Sequence, residues 1–222
     1  MEKNNHGEFH RKVFREEIRN AIKEAIFTGQ LEPGSRIIET FWAKELGVSQ
    51  APVREAIRDL EAVGLVETVP FKGSRVSTMS EKQISDNYSV RICLESKSLR
   101  DAIDKLNDAE LSALVATLEQ VLNRMEAYAA AGNLLEFTNE DTLFHKAIIE
   151  ATDNQVLLRL WEQCNMRMWY LYLPLTESIS LKKLQSGHKK ILAALQNRDK
   201  KEATETLENH IAHMMDEFTG KQ

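Results

Sequence analysis

The sequence is poor in cysteine and proline and has no long hydrophobic run. It contains two cysteines and four prolines in 222 residues, and Cys93 and Cys164 match no metal or redox spacing. We therefore expect both thiols to be free and buried. No apolar stretch reaches the ~18 residues of a membrane helix, and the first twelve residues lack a signal-peptide pattern. These absences predict a cytoplasmic protein with no membrane partner.

An excess of positive charge is missing too. The formal net charge is −5. Residues 1–79 carry 12 Lys/Arg and 12 Asp/Glu, and residues 80–222 carry 17 and 22. Neither part is basic enough to bind nucleic acid by bulk charge. A case for DNA binding must therefore come from the pattern of residues.

Turn-forming residues are concentrated in the first part of the chain. Glycine and proline are frequent before residue 80 and sparse after it, where long helical periods follow. The segment STMSEK, residues 77–82, resembles a short linker in which Ser80 caps the next helix. We predict two domains, 1–79 and 80–222, in a mainly α fold.

The first domain has a recognisable order of elements. The pattern predicts helices over about 9–28, 41–46 and 50–63, with Thr40 and Ser49 as N-caps of the second and third. The following LVETVPFKGSRVST predicts a small hairpin. Helix, short helix, tight turn, helix and hairpin is the order of a winged helix-turn-helix. The remaining residues predict an all-α antiparallel bundle.

The third helix has two distinct faces. An apolar face of about 120° is expected to pack inward; its members are Val53, Ala56, Ile57, Leu60 and Val63. Another face carries Gln50, Arg54 and Arg58, with Ala51 nearby. Arginine can bond guanine with two donors, and glutamine can bond adenine in the same way. Any surface helix carries such residues, so the angles alone leave DNA contact and a solvated face equally open.

The stretch EDTLFHKAII, residues 140–149, places an acid and an imidazole on an apolar helix face. Asp141 and His145 lie about 40° apart at ~100° per residue, among Leu134, Phe137, Phe144 and Ile148. Burying such groups without a partner costs several kcal/mol. A simple hydrogen bond between them is the ordinary interpretation, and a shared metal ion is the alternative.

Two further histidines lie on apolar faces of later helices. His188 precedes the break NRD, 197–199, by 9 residues and His210 follows it by 11. In an antiparallel pair these offsets place both rings at similar height. A lone histidine in this setting is usually a hydrogen-bonded core residue, but together with Asp141 and His145 the pair predicts a divalent transition metal site. His213 is the nearby decoy, on a less apolar side.

The first domain resembles a known family. LEPGSRIIETFWAKELGVSQAPVREAIRDLEAVGLVETVPFKGSRV is similar to the DNA-binding domain of GntR-superfamily transcription regulators. The resemblance implies that Arg54 contacts bases and that Lys72 and Gly73 form the wing tip. Gln50 departs from the arginine of many members. Our candidate DNA-binding residues are Ser49, Gln50, Ala51, Arg54, Arg58, Lys72 and Gly73.

The second domain resembles the FCD ligand-binding domain of FadR-type regulators. The similar motifs are VRICLE, DTLFHKAIIEATDN, HKKILAAL and ENHIAHM. The resemblance implies a metal held by Asp141, His145, His188 and His210, with zinc, nickel or manganese as the metal and zinc foremost. It also implies a small organic acid effector, with Arg91 as its anchor. The alternative role for Arg91 is a helical ion pair with Glu95, and Asn154 is expected to cap a helix.

Three functions fit these observations. The first is a homodimeric regulator, not an enzyme, that binds an operator in double-stranded DNA and releases it, as a repressor, when a carboxylate binds. The second is a hydrolase-like metalloenzyme, although the motifs place no second acid as a general base. The third is a pure metal sensor.

Overall fold

The computed structural model describes residues 5–172 and 181–219 of the chain. Those residues form helices and, near the N-terminus, three short strands. They group into two compact units, the first made mainly of residues up to Thr78 and the second mainly of residues from Met79 onward. The predicted mainly α fold, with a winged helix-turn-helix ahead of a helical bundle, is confirmed.

The first unit contains three helices and a three-stranded sheet. The elements are α1 (Asn5–Phe27), β1 (Arg36–Ile37), α2 (Glu39–Glu45), α3 (Gln50–Ala62), β2 (Val66–Val69) and β3 (Gly73–Val76). The antiparallel sheet has the order β1-β3-β2, in which β2 and β3 are the predicted hairpin. Val53, Ala56, Ile57 and Leu60 of α3 are buried as predicted. The core side of α3 thus fixes which side faces solvent.

Several local expectations for this unit were wrong. Helix α2 begins at Glu39 with Ile38 at its N-cap, so Thr40 is not the cap. Strand β1 was missed, because two residues are too short for any periodicity. Val63 follows the last residue of α3 and is 41% exposed rather than packed inward. Ser49 does occupy the N-cap position of α3, although its side chain makes no capping hydrogen bond.

The second unit is a bundle of six described helices. They are α4 (Glu81–Lys105), α5 (Asp108–Ala130), α6 (Leu134–Glu150), α7 (Gln155–Tyr172), α8 (Leu181–Gln196) and α9 (Lys200–Thr219). Of α7, the residues up to Asn165 belong to this unit. Helix α4 packs against α6 and α9, while α5 packs against α6 and α8. Side chains from α4, α6, α8 and α9 can therefore meet in the interior.

Polar caps set the ends of these helices. Ser80 is the N-cap of α4, as the linker segment predicted, and it forms a reciprocal capping box with Gln83. Asn154 caps α7 by accepting a hydrogen bond from the backbone of Leu157, which confirms its predicted role. Cys93 is exposed, so the expectation that both cysteines are buried was wrong.

Candidate functional site

Four polar side chains meet in the interior of the bundle. Asp141 and His145 come from α6, His188 from α8 and His210 from α9, and all four are buried. One potential ligand atom from each residue lies within 4.8 Å of the others. The structure thus brings together the four residues that the sequence selected, and His213 is not among them.

Helix α6 presents its two residues because they lie one turn apart on its buried face. Phe137, Phe144 and Ile148 on the same face are also buried, and they hold Asp141 and His145 towards the interior. The Phe144 ring packs edge-on against His188, with centroids 4.8 Å apart.

Helices α8 and α9 supply the other two residues across the predicted break. The break lies between Gln196 and Lys200, where Asp199 caps α9 through the backbone of Glu202. The His188 and His210 rings have centroids 4.2 Å apart. Their mirrored distances from the break therefore bring them to one level, as expected.

A glycine lets these two helices approach so closely. A Cβ atom on Gly187 would lie 2.5 Å from Nδ1 of His210, much closer than van der Waals contact. The sequence analysis missed Gly187, although a glycine inside a helical pattern often has a packing or functional reason.

The ring orientations of two histidines follow from what lies behind them. Nδ1 of His188 lies 3.0 Å from the backbone oxygen of Leu184. Nδ1 of His145 lies 2.6 Å from Oε2 of Glu95, at an oblique angle to the ring N–H. With the ring protons on Nδ1, both Nε2 atoms carry lone pairs that face the cluster.

Electron-rich atoms converge inside the cluster. Nε2 of His188 lies 3.3 Å from Nε2 of His145 and 2.9 Å from Oδ1 of Asp141. Neither buried oxygen of Asp141 accepts a well-directed hydrogen bond from the described residues. Such atoms repel one another unless a proton or a metal ion lies between them, and three imidazoles with one carboxylate suit a divalent transition metal. The residues present therefore fit a metal.

Burial and neighbouring charges set the protonation states that a metal needs. Burial lowers the pKa of His210 well below its usual 6.5, and His188 and His145 lower it further, so His210 is neutral at physiological pH. Burial alone would raise the pKa of Asp141, but contact with His188 and the nearby His145 and Arg91 hold it below its usual value. The cluster therefore offers a carboxylate and a neutral imidazole as ligands.

Arg91 lies beside this cluster and is paired as one of its two interpretations predicted. Its Nε donates to Oε1 of Glu95 over 2.7 Å, and both side chains are buried. The guanidinium also lies over the Tyr88 ring, 5.6 Å from its centroid. Its charge lowers the pKa of both Asp141 and His210. Arg91 is therefore both the ion-pair partner of Glu95 and a neighbour of the buried cluster.

Glu95 was expected only as the partner of Arg91, but it contacts three side chains. Its Oε1 also accepts a hydrogen bond from Nε1 of Trp161 over 2.7 Å, and its Oε2 meets His145. Burial would raise the pKa of Glu95, but Arg91 and His145 hold it far below its usual value. No local pattern could reveal these contacts, because α6 and α7 supply the other residues.

The candidate DNA-binding residues are all exposed on the first unit. They are Ser49, Gln50, Ala51, Arg54, Arg58, Lys72 and Gly73. Arg54 is not free of protein contacts, since Nε donates to Oε2 of Glu39 over 2.6 Å. A terminal nitrogen of Arg54 donates to Oε1 of Gln50 over 3.1 Å. Gln50 is therefore a hydrogen-bond partner of Arg54 on the exposed face of α3.

Among the described residues, no helix is long and apolar enough to cross a membrane.

Each of the two parts of the chain matches a known protein family. Residues 14–76 match the gntR family of bacterial regulatory proteins, and residues 86–213 match the FCD domain. The Uxu operon transcriptional regulator of Escherichia coli (strain K12) is 31% identical over 217 residues, covering 90% of this chain and 84% of its own. The "Probable D-xylose utilization operon transcriptional repressor" of Paenarthrobacter nicotinovorans is 30% identical, with coverages of 88% and 84%.

A solved structure has the same fold. E. coli McbR/YncC superposes with a TM-score of 0.68 at 25% identity, over 90% of this chain and 94% of that one.

FCD domains bind metals, and the buried cluster lies within the matched range. The family consists of transcription regulators, which excludes the metalloenzyme alternative. This chain belongs to the gntR family of bacterial regulatory proteins and is a DNA-binding transcription regulator with an FCD domain.

Proposed function

We propose that this protein is a cytoplasmic regulator that releases its operator when a small carboxylate binds a metal-containing pocket in the bundle. The observation that carries the proposal is the buried convergence of Asp141, His145, His188 and His210 beside Arg91. A cluster of lone pairs beside a guanidinium is suited to bind a cation and an anion together.

The four cluster residues would hold one divalent transition metal. Three nitrogen ligands and one oxygen ligand suit zinc first, with nickel or manganese as alternatives. The metal would supply a Lewis-acidic centre that a carboxylate can join. The buried position of all four ligands favours a permanently held ion over one whose arrival is the signal.

The effector would meet Arg91 from one direction. Nε of Arg91 is already used by Glu95, so an acid would approach the two terminal nitrogens of the guanidinium. A carboxylate matches that end of the fork with two parallel hydrogen bonds. A relative, 26% identical to this chain, is named the gluconate operon transcriptional repressor, and gluconate is a sugar acid, so sugar acids belong among the candidates for the effector.

At the DNA, the exposed face of α3 would read bases and the β2–β3 hairpin would hold the backbone. Glu39 and Gln50 restrict the Arg54 side chain, which reduces the entropy lost when it docks on a guanine. A homodimer would place two such helices on a pseudo-palindromic operator. The contact with DNA would be completed by the remaining candidates, which are Ser49, Ala51, Arg58, Lys72 and Gly73.

Metal analysis tests the pocket. The purified wild type, refilled with Zn²⁺, is expected to hold about one ion per chain, and His188→Ala should lose most of it. His213→Ala is the control, because His213 lies outside the cluster. Wild-type protein without any bound zinc, nickel or manganese would refute the metal.

Operator binding tests the response. A random duplex DNA library selects the operator, which is then titrated with a panel of mono- and dicarboxylates against the Zn²⁺-loaded protein. At least one acid should release the DNA. If only chelation and refilling change the DNA affinity, the protein is a metal sensor and the effector proposal is wrong.

A further inference from the structure

Behind the metal cluster lies a carboxylate that contacts both halves of the proposed effector site. Glu95 is 2% exposed. On one side, its Oε1 binds Nε of Arg91, the proposed anchor of the effector. On the other side, its Oε2 lies 2.6 Å from Nδ1 of His145, a proposed metal ligand. Glu95 therefore contacts both His145, a proposed metal ligand, and Arg91, the proposed anchor of the effector.

Two of the three proposed metal-ligating histidines differ in what lies behind their rings. His188 is held by the backbone oxygen of Leu184 on its own helix. His145 has Glu95, a charged side chain from a different helix. A ligand histidine that donates its other N–H to a carboxylate is fixed in tautomer and orientation and becomes a more basic ligand. Of these two rings, only that of His145 is supported by a residue from another helix.

We propose that Glu95 is the positioning residue of this site. It directs Nε2 of His145 towards the metal and fixes the spacing between the metal and the Arg91 guanidinium. The third contact, from Nε1 of Trp161 over 2.7 Å, fixes Oε1 and so limits the carboxylate to this arrangement. This inference rests on the proposed metal site and assigns a role that neither the cluster nor Arg91 alone requires.

The chain offers a matched control for Glu95. Glu140 is also a buried glutamate in an ion pair, with Nε of Arg124 at 2.8 Å, and it is adjacent to Asp141 in sequence. Its described partner is Arg124 rather than a cluster histidine. Both glutamates can be changed to glutamine, which keeps size and a hydrogen-bond acceptor. Alanine at 95 would leave the buried donors of Arg91 and Trp161 without an acceptor and is expected to disturb folding, whereas glutamine keeps an acceptor oxygen for them.

The test measures Zn²⁺ affinity of the full chain by competition with a chromophoric chelator, with no organic acid present. Glu95→Gln should weaken Zn²⁺ binding by roughly 10–100-fold, while Glu140→Gln should stay within about twofold of the wild type. Equal affinity of the wild type and Glu95→Gln would overturn the positioning role. A wild type that binds no metal would instead refute the proposed metal site.

A spectroscopic readout separates positioning from general stability. In Co²⁺-loaded wild type, the Nδ1 proton of His145 should give a shifted NMR signal that exchanges slowly with water, because the carboxylate holds it. In Glu95→Gln loaded at saturating Co²⁺, this signal should exchange faster or vanish, and in Glu140→Gln it should be unchanged. The same slow exchange in Glu95→Gln would show that Glu95 does not hold the ring.

Discussion

His210 makes the stability of the metal-free protein depend on pH. Its pKa is held well below 6.5 by burial and by His188 and His145. In the unfolded chain it takes up a proton near pH 6.5, so below that pH the unfolded state binds more protons than the folded state. The free energy of unfolding should therefore fall as the pH drops below about 6.5, by at most ~1.4 kcal/mol per pH unit for this proton.

Urea unfolding of chelator-stripped protein at pH values of about 7.5 and about 5.5 measures this loss. His210→Gln should lose less, because glutamine does not titrate. Asp141 and Glu95 have lowered pKa values in the folded protein. Their contributions to the free energy of unfolding are therefore lost only as the pH falls below the ordinary carboxyl pKa near 4, which lies outside the range between about 7.5 and about 5.5. Equal losses in the variant and the wild type would exclude His210 as the cause.

Phe71 combines two unfavourable features at the tip of the β2–β3 hairpin. It has a positive φ of 64° and a fully exposed aromatic ring. It follows Pro70 in a turn closed by the Lys72 N–H donating to the Val69 oxygen over 3.0 Å. This is the turn position that favours glycine. Such strain persists at functional positions, and an aromatic tip beside Lys72 suits contact with DNA.

Phe71→Gly should therefore move stability and binding in opposite directions. Relief of the left-handed conformation should raise the free energy of unfolding by up to about 1 kcal/mol, since glycine's greater entropy in the unfolded chain offsets part of the gain. Affinity for the selected operator, measured by fluorescence anisotropy, should fall. Unchanged affinity in a stabilised variant would remove Phe71 from the DNA contact.

At the scale of the element, the sequence predicted those features that depend only on residues close together in the chain, such as helix caps and helix breaks. The Ser80 cap, the Asn154 cap and the break at 197–199 were all predictable. Helical angles also correctly predicted that the four candidate metal ligands lie on buried faces. Strand β1 was not predictable, because its two residues become a strand only by pairing with β3. The contacts of Glu95 with α6 and α7 depend on tertiary packing in the same way.

The close packing of α8 on α9 predicts an unusual effect of a helix-favouring substitution. Gly→Ala inside a helix ordinarily stabilises by about 1 kcal/mol. At Gly187 the new Cβ would meet His210 Nδ1 at 2.5 Å, so the ring or the helices must move. Gly187→Ala should therefore lower both the free energy of unfolding and the Zn²⁺ affinity. Chemical denaturation and a metal titration measure the two effects.

The neighbouring Ser186→Ala provides the control on the same helix. Ser186 is exposed, so its replacement should stabilise slightly through helix propensity and leave Zn²⁺ affinity unchanged. A Gly187→Ala variant that gains stability and keeps its metal would show that the two helices tolerate a wider separation at His210.

For the whole molecule, the response requires that an event in the bundle changes affinity for DNA. An effector can shift the protein between two states only by as much as it prefers one of them. That preference must come from groups that touch the acid, and Arg91 is the charged candidate beside the proposed metal. Because Arg91 is also the buried partner of Glu95, removing its charge would cost stability as well as effector binding.

Arg91→Lys is therefore the cleaner variant. It keeps a positive charge for Glu95 but cannot form two parallel hydrogen bonds to a carboxylate. The acid concentration that releases half of the operator should rise about 10-fold or more, as expected when a hydrogen bond of ~1.5–3 kcal/mol to a charged group is lost. Zn²⁺ content and DNA affinity without the acid should hardly change. Arg124→Lys, at the ion-pair partner of Glu140, should leave the midpoint unchanged. An unchanged midpoint in Arg91→Lys would mean that the metal alone holds the effector and that Arg91 serves only Glu95.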